Sequence, residues 1–231
     1  MLLLHGWALD RRVWAPQRAL AARFRLIAPD RRGFGGSTAP ADPEAELDDL
    51  LELREALGLG PMIVVGMSQA GRVALRFALG HPGHVAGLVL QGAPLDGFLP
   101  APRGTDAIPL ARYRALVRAG RIEAMRSLWR DHPLMQGAEV AAILSDYDGR
   151  DLIPDPAPAG ALAGALHRIA VPTLVVTGEE DVPWRQLVGD ALAYGIPNSR
   201  RARIGGGHLC NLTHPEAYNR LVASFAEEVA P

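Results

Sequence analysis

A serine, a histidine and an aspartate can together carry out acyl transfer, and each has a position in this chain whose local sequence suits the work. Ser68 stands in Gly66-Met-Ser-Gln-Ala70-Gly71, directly after the apolar run Met62-Ile-Val-Val65 and before a helical pattern. A serine on such a strand–turn–helix corner is held in a strained conformation with its hydroxyl presented outward, and small residues must flank it for steric reasons. Gly66 lies two residues before it; Ala70 takes the place of the second glycine, with Gly71 next. The helix that follows would aim its N-terminal amides at charge developing near Ser68. The plainer alternative for Ser68 is an N-cap on an ordinary βα turn.

Serine needs a base, and the base is expected late in the chain. Of the seven histidines, His208 follows Arg203-Ile-Gly-Gly-Gly207 and precedes the last helical pattern, so a flexible glycine loop can carry its imidazole over a sheet edge. His81, His84 and His214 adjoin helix ends and read as structural, His132 and His167 lie in or beside a strand-free stretch, and His5 reads as a hydrogen-bonding group within its own loop. The acid that orients the imidazole is expected between serine and histidine. Asp181 closes Gly178-Glu-Glu-Asp181 after a strand, and Asp96, after the strand following Ser68, is the rival. The backbone N–H groups of Trp7 and Gln69 are the candidate oxyanion donors: one follows the first strand and the other follows the nucleophile.

The elements that must position these groups alternate along the chain. Strands are predicted at 2–4, 24–28, 62–66, 85–90, 173–177 and 201–204, rich in Val, Ile and Leu and closed by Gly, Pro or Asp. Helices are predicted at 46–57 and 71–79, and at the C-terminus, where Thr213-His-Pro-Glu216 reads as a capping box with a first-turn proline. Nearly continuous apolar strands alternating with helices imply an α/β fold, a mostly parallel sheet with helices on both faces. The alternation fails between about Gly97 and His167, where helical patterns at 107–118 and 121–130 are joined by Pro- and Gly-rich loops such as 153–158. The chain therefore divides into a core of residues 1–96 and 168–231 and a helical insertion of residues 97–167, placed to act as a lid. Met125, Leu128 and Trp129 on the apolar sides of the insertion are candidate substrate contacts. Its seven arginines between Arg103 and Arg130 read as solvated helix faces.

Composition narrows the chemistry. The 231 residues carry a formal net charge of −1, which provides no field to recruit nucleic acid or an anionic membrane. All 24 basic residues are arginine, so neither a lysine Schiff base nor a P-loop lysine is available. Cys210 is the only cysteine, which excludes an internal disulfide. No metal-ligand cluster, cofactor motif, signal peptide or membrane-spanning run is visible, so the expectation is a cytoplasmic enzyme without metal or cofactor.

Five blocks in one order carry a resemblance: His5-Gly-Trp-Ala-Leu-Asp10, Asp30-Arg-Arg-Gly-Phe-Gly-Gly-Ser37, Gly66-Met-Ser-Gln-Ala70, Gly178-Glu-Glu-Asp181 and Gly207-His208. Together they resemble the α/β-hydrolase superfamily over nearly the whole chain. The first two blocks are similar to bacterial aryl-esterases and cofactor-free perhydrolases. The tail from His208 to Asn219 is similar to the 3-oxoadipate enol-lactonase group. Arg72, four residues after Ser68, resembles an arginine of the menaquinone-pathway synthases that meets substrate carboxylate, and so joins the candidate substrate contacts. The resemblance implies hydrolysis of a small ester or lactone through an acyl-enzyme on Ser68. Two readings stand beside it: a lyase using the same three residues for proton abstraction, and a non-catalytic binding module on the same fold. Members of the superfamily usually begin with an antiparallel hairpin, and here only Met1–Leu4 precede His5-Gly6. Residues 24–28 are therefore expected to form an open sheet edge, with a homodimer through that edge as one consequence.

Overall fold

A computed structural model describes residues 1–155 and 160–229. The connector expected over 153–158 thus lies partly outside the described residues. Five strands, β1 (Leu2–Leu4), β2 (Met62–Met67), β3 (Val85–Gln91), β4 (Thr173–Gly178) and β5 (Ser199–Ile204), form one parallel sheet in the order β1-β2-β3-β4-β5.

The period-2 alternation of each strand sorts its side chains onto two faces. Leu3, Val65, Met67, Val89, Leu174 and Val176 face one hydrophobic cluster. Their neighbours Leu2, Leu4, Val64, Leu88, Leu90 and Val175 face another. Helices cover both. Helix α1 (Ala45–Ala56) contributes Leu50 to the second cluster, and α2 (Ala70–Gly80) contributes Val73, Leu75 and Phe77. After β3 come α3 (Leu110–Arg118), α4 (Ile122–Arg130) and α5 (Ala141–Asp146), and no strand occurs among the described residues of 97–167. Helix α6 (Pro183–Gly195) returns to the second cluster through Val188 and Leu192. The short α7 (Cys210–Thr213) and the terminal α8 (Pro215–Val229) join the first, the latter through Tyr218, Val222 and Phe225. Among the described residues no helix is long and apolar enough to cross a membrane.

Three expectations are corrected. Residues 24–28 form a single parallel bridge, Leu2 to Ile27, rather than a strand. The partner β1 is only three residues long and offers two rungs, Leu3 N–H to Ile27 O at 2.8 Å and Ile27 N–H to Met1 O at 2.9 Å. The helix expected from 107 begins at Leu110, because Pro109 disfavours helical backbone at Ile108. The last helix begins at Pro215 with His214 before it, because Thr213 is already helical in α7 and cannot serve as the cap. Conversely, Arg11–Ala22 forms a 3-10 stretch that no periodic signal announced, started by Asp10, whose side chain accepts the Arg12 N–H at 2.9 Å.

Candidate active site

Because every strand runs the same way, the loops after β1, β2, β3, β4 and β5 all open on one edge of the sheet. Ser68 follows β2 directly, in the left-handed region at φ 50°, a conformation that costs a non-glycine residue about 1–2 kcal/mol. Its backbone is pinned by Ser68 N–H to Gln91 O at 2.7 Å and Gly71 N–H to Ser68 O at 2.8 Å. The corner is tight. A Cβ on Gly66 would stand 2.7 Å from the Ala74 methyl and 2.8 Å from the Ala70 carbonyl, and one on Gly71 would collide with Ala93. Ala70 is fully buried without displacing the turn, so the steric demand falls on Gly66 and Gly71.

The three sequence candidates meet. The Ser68 hydroxyl donates to His208 Nε2 at 2.8 Å, and His208 Nδ1–H donates to Asp181 Oδ2 at 2.9 Å. The other carboxylate oxygen, Oδ1, accepts the Val182 N–H at 2.8 Å, which fixes the carboxylate plane. That arrangement assigns the imidazole proton to Nδ1 and leaves the Nε2 lone pair for the hydroxyl. The rival Asp96 lies elsewhere: its Oδ1 pairs with Arg72 Nε at 2.7 Å.

The support beneath these groups was not readable from spacing. Gly92, at φ 52° after β3, lies under the imidazole; a Cβ there would sit 2.7 Å from His208 Cε1 and 3.3 Å from Asp181 Oδ2. Buried Gln91 donates to the His208 carbonyl at 3.2 Å and to Asn211 Oδ1 at 2.9 Å, and Asn211 donates to Val13 O at 3.1 Å. An amide network thus anchors the loop that carries His208 to the 3-10 stretch. Cys210, two residues on, is inert: burial pushes its thiol up to about 12.

The two candidate oxyanion loops are joined by one arginine. Arg31 N–H donates to His5 Nε2 at 3.0 Å, and its Nη1 reaches His5 O at 2.9 Å and Gln69 Oε1 at 3.1 Å. Its remaining donors form a buried two-point pair with Glu46 at 2.8 and 3.0 Å. His5, also donating from Nδ1 to Gly6 O at 2.9 Å, is held neutral; burial and then Arg31 pull its pKa down to about 3. Among the described residues, the Trp7 and Gln69 N–H groups donate no hydrogen bond. The loop comes close to the serine, since a Cβ on Gly6 would be 3.3 Å from Ser68 Cβ. The Trp7 indole packs 4.8 Å from Trp129 and 5.9 Å from Tyr113, and its Nε1–H donates to Asp151. Met125 has no accessible surface and Trp129 almost none, while Leu128 is half-buried against the same cluster. His132, another residue the sequence left unassigned, is buried beside Trp129 with its ring centroid 4.9 Å away; burial keeps its pKa below the ordinary value. Among the described residues no group of three His, Cys, Asp or Glu side chains could hold a metal ion.

Known proteins share this arrangement of chain. The 2-hydroxy-6-oxononadienedioate/2-hydroxy-6-oxononatrienedioate hydrolase of Cupriavidus pinatubonensis is 30% identical over 240 residues, covering 95% of this chain and 81% of that protein. A thermophilic esterase from Thermogutta terrifontis superposes with a TM-score of 0.78 at 28% identity, over 100% of this chain and 90% of that one. The enol-lactonase of Burkholderia xenovorans LB400 shares the fold, with a TM-score of 0.81 at 22% identity over 98% of this chain and 90% of that one. The family model described as alpha/beta hydrolase fold matches residues 1–132. With the parallel sheet and the strained serine corner, that match establishes that this chain belongs to the α/β-hydrolase family.

Proposed function

We propose that the protein is a serine hydrolase of small carboxylic esters or lactones, working through an acyl-enzyme on Ser68. The observation that carries the reading is the unbroken run of hydrogen bonds Ser68–His208–Asp181 at 2.8 and 2.9 Å, beginning at a serine in left-handed backbone. His208 takes the hydroxyl proton as Ser68 attacks the carbonyl, and Asp181 stabilises the imidazolium that forms. The Trp7 and Gln69 N–H groups receive the oxyanion, preorganised by the Arg31 bridge between their loops. His208 returns the proton to the leaving alkoxide, and water then repeats the sequence on the acyl-enzyme.

The helical segment 97–167 serves in this reading as a lid on a core made of residues 1–96 and 168–231. Of its three candidate substrate contacts, Met125 and Trp129 are buried in the core, Trp129 against Trp7, so half-buried Leu128 is the one with surface left for a substrate. The relatives named as an esterase and an enol-lactonase support the choice of ester or lactone. The relative named as a 2-hydroxy-6-oxononadienedioate/2-hydroxy-6-oxononatrienedioate hydrolase makes an oxo-dioate the further substrate to assay.

The test is labelling with a fluorophosphonate, followed by turnover of a panel of short p-nitrophenyl esters and lactones. Ser68→Ala should lose labelling and lower ester turnover by about 10⁴ or more while keeping the thermal transition. Labelling that persists in Ser68→Ala would remove Ser68 from the mechanism.

A further inference from the structure

Arg185 has no role in the mechanism above, yet it is placed where a bystander would be costly. It occupies the first turn of α6, four residues after Asp181, and is only 6% exposed. Its guanidinium donates no hydrogen bond among the described residues, and Nη1 is fully buried without a partner. The Trp184 ring lies 5.2 Å from its Cζ, which covers one face of the cation and satisfies none of its N–H groups. Burial pulls its pKa down only to about 10, so the group stays charged at neutral pH. The α6 N-terminus adds partial positive charge of the same sign.

Neither of the carboxylates that Arg185 feels is hydrogen-bonded to it. Asp181 and Asp106 act on Arg185 through space, but Asp181 gives both oxygens to His208 and the Val182 N–H. Asp106 Oδ2 accepts the Trp184 N–H at 3.0 Å. Arg72 is the other cation that Arg185 feels, and it is neutralised by Asp96, whose Oδ2 is buried without a partner of its own. His132, kept neutral by burial, feels the charge of both His208 and Arg185, and Arg185 in turn feels Asp181, so the guanidinium belongs to the same charged neighbourhood as the Asp181–His208 pair. A buried cation with idle, directional donors, four residues along the chain from the carboxylate that holds His208, suits an anion that arrives from outside, and a planar carboxylate matches the guanidinium fork.

We infer that Arg185 anchors a carboxylate carried by the substrate, so that the ester or lactone cleaved at Ser68 bears a second, free carboxyl group. The inference rests on the hydrolase reading for its word "substrate", but the anion site can be measured without turnover. Arg72, already paired, is a secondary contributor.

The experiment compares monomethyl glutarate with dimethyl glutarate, two esters of one backbone that differ in the free carboxylate. The wild-type protein should favour the monoester in kcat/KM. Arg185→Met, which removes an unbonded buried charge, should lower that preference about tenfold or more, chiefly through KM, and Arg185→Lys should restore part of it. In parallel, millimolar glutarate, against sodium chloride at equal ionic strength, should raise the Tm of the wild-type protein and not that of Arg185→Met. A preference unchanged by Arg185→Met, or a glutarate shift equal in both proteins, overturns the assignment. Loss of stability in Arg185→Met without ligand also overturns it, since the arginine would then be structural. If fluorophosphonate fails to label Ser68 while glutarate still stabilises only the wild-type protein, the anion site stands and the hydrolase reading falls.

Discussion

The Trp7 indole N–H donates to Asp151 Oδ2 at 2.7 Å, a contact across 144 residues that ties the loop after β1 to the helical segment before β4. The Tyr147 hydroxyl donates to the other oxygen, Oδ1, at 2.7 Å, and burial pushes the Asp151 carboxyl above the usual carboxylate range. Arg150, the preceding residue, reaches Gly35 O and Ser37 O at 3.1 and 2.8 Å. The segment therefore grips both the loop after β1 and the turn at Gly35–Ser37, and its position and that of the Trp7 amide are set together.

Asp151→Ala should leave the indole N–H without an acceptor and cost about 1–3 kcal/mol in chemical denaturation. It should also lower kcat by about tenfold or more with little change in KM, approaching the ~10²–10³ seen when an oxyanion donor is lost. Asp151→Asn can still accept from the indole and donate to the Tyr147 oxygen, and should keep most of both. An Asn variant as impaired as the Ala variant would show that charge, rather than hydrogen bonding, holds the loop.

The choice of acid is open to direct measurement. Asp181→Asn cannot accept from both the Val182 amide and His208 Nδ1–H while keeping the tautomer, and should reduce kcat by about 10⁴. Asp96→Asn leaves Arg72 an acceptor and should cost about tenfold at most. Steady-state kinetics giving the reverse order would transfer the role to Asp96.

Gly92→Ala adds a single methyl group and is not a conservative change. Its φ of 52° costs an alanine about 1–2 kcal/mol, and its methyl would press into His208 Cε1 and Nδ1 at 2.7 and 2.8 Å. The imidazole must tilt, so kcat and the rate of fluorophosphonate labelling should fall together by about 10². Normal labelling with a lowered Tm alone would mean the ring moves without losing Ser68.

His5 gives the protein an acid limb of instability. Its pKa falls from 6.5 in the unfolded chain to about 3 in the folded one, so between those values the unfolded state binds a proton that the folded state refuses. This contribution is fully present above pH 6.5 and is lost progressively as the pH falls towards 3. Denaturant midpoints measured across that window should fall with acid, and the slope should be shallower in His5→Gln. An identical slope in the variant would assign the limb to other groups.

The sequence by itself determined the α/β alternation, the strand cores to within one or two residues, and the three side chains that meet at 2.8 and 2.9 Å. These are local matters. An apolar run bounded by turn residues makes a strand whatever lies far away, and a residue just past the end of a parallel strand is delivered to the same edge as its counterparts. Where two strands ended in an aspartate, Asp96 and Asp181, local signals could not choose; packing did, giving one to Arg72 and the other to His208. Tertiary structure alone decided that 24–28 makes one bridge, because pairing depends on the length of the partner strand. It alone placed Gly92 beneath His208, Arg31 between His5 and Gln69, Asp151 on Trp7, and Arg185 without a counterion. None of those partners lies within one helical turn of its neighbour in the chain. Nothing in a residue's flanking sequence records which distant group will satisfy its hydrogen bonds once water is excluded.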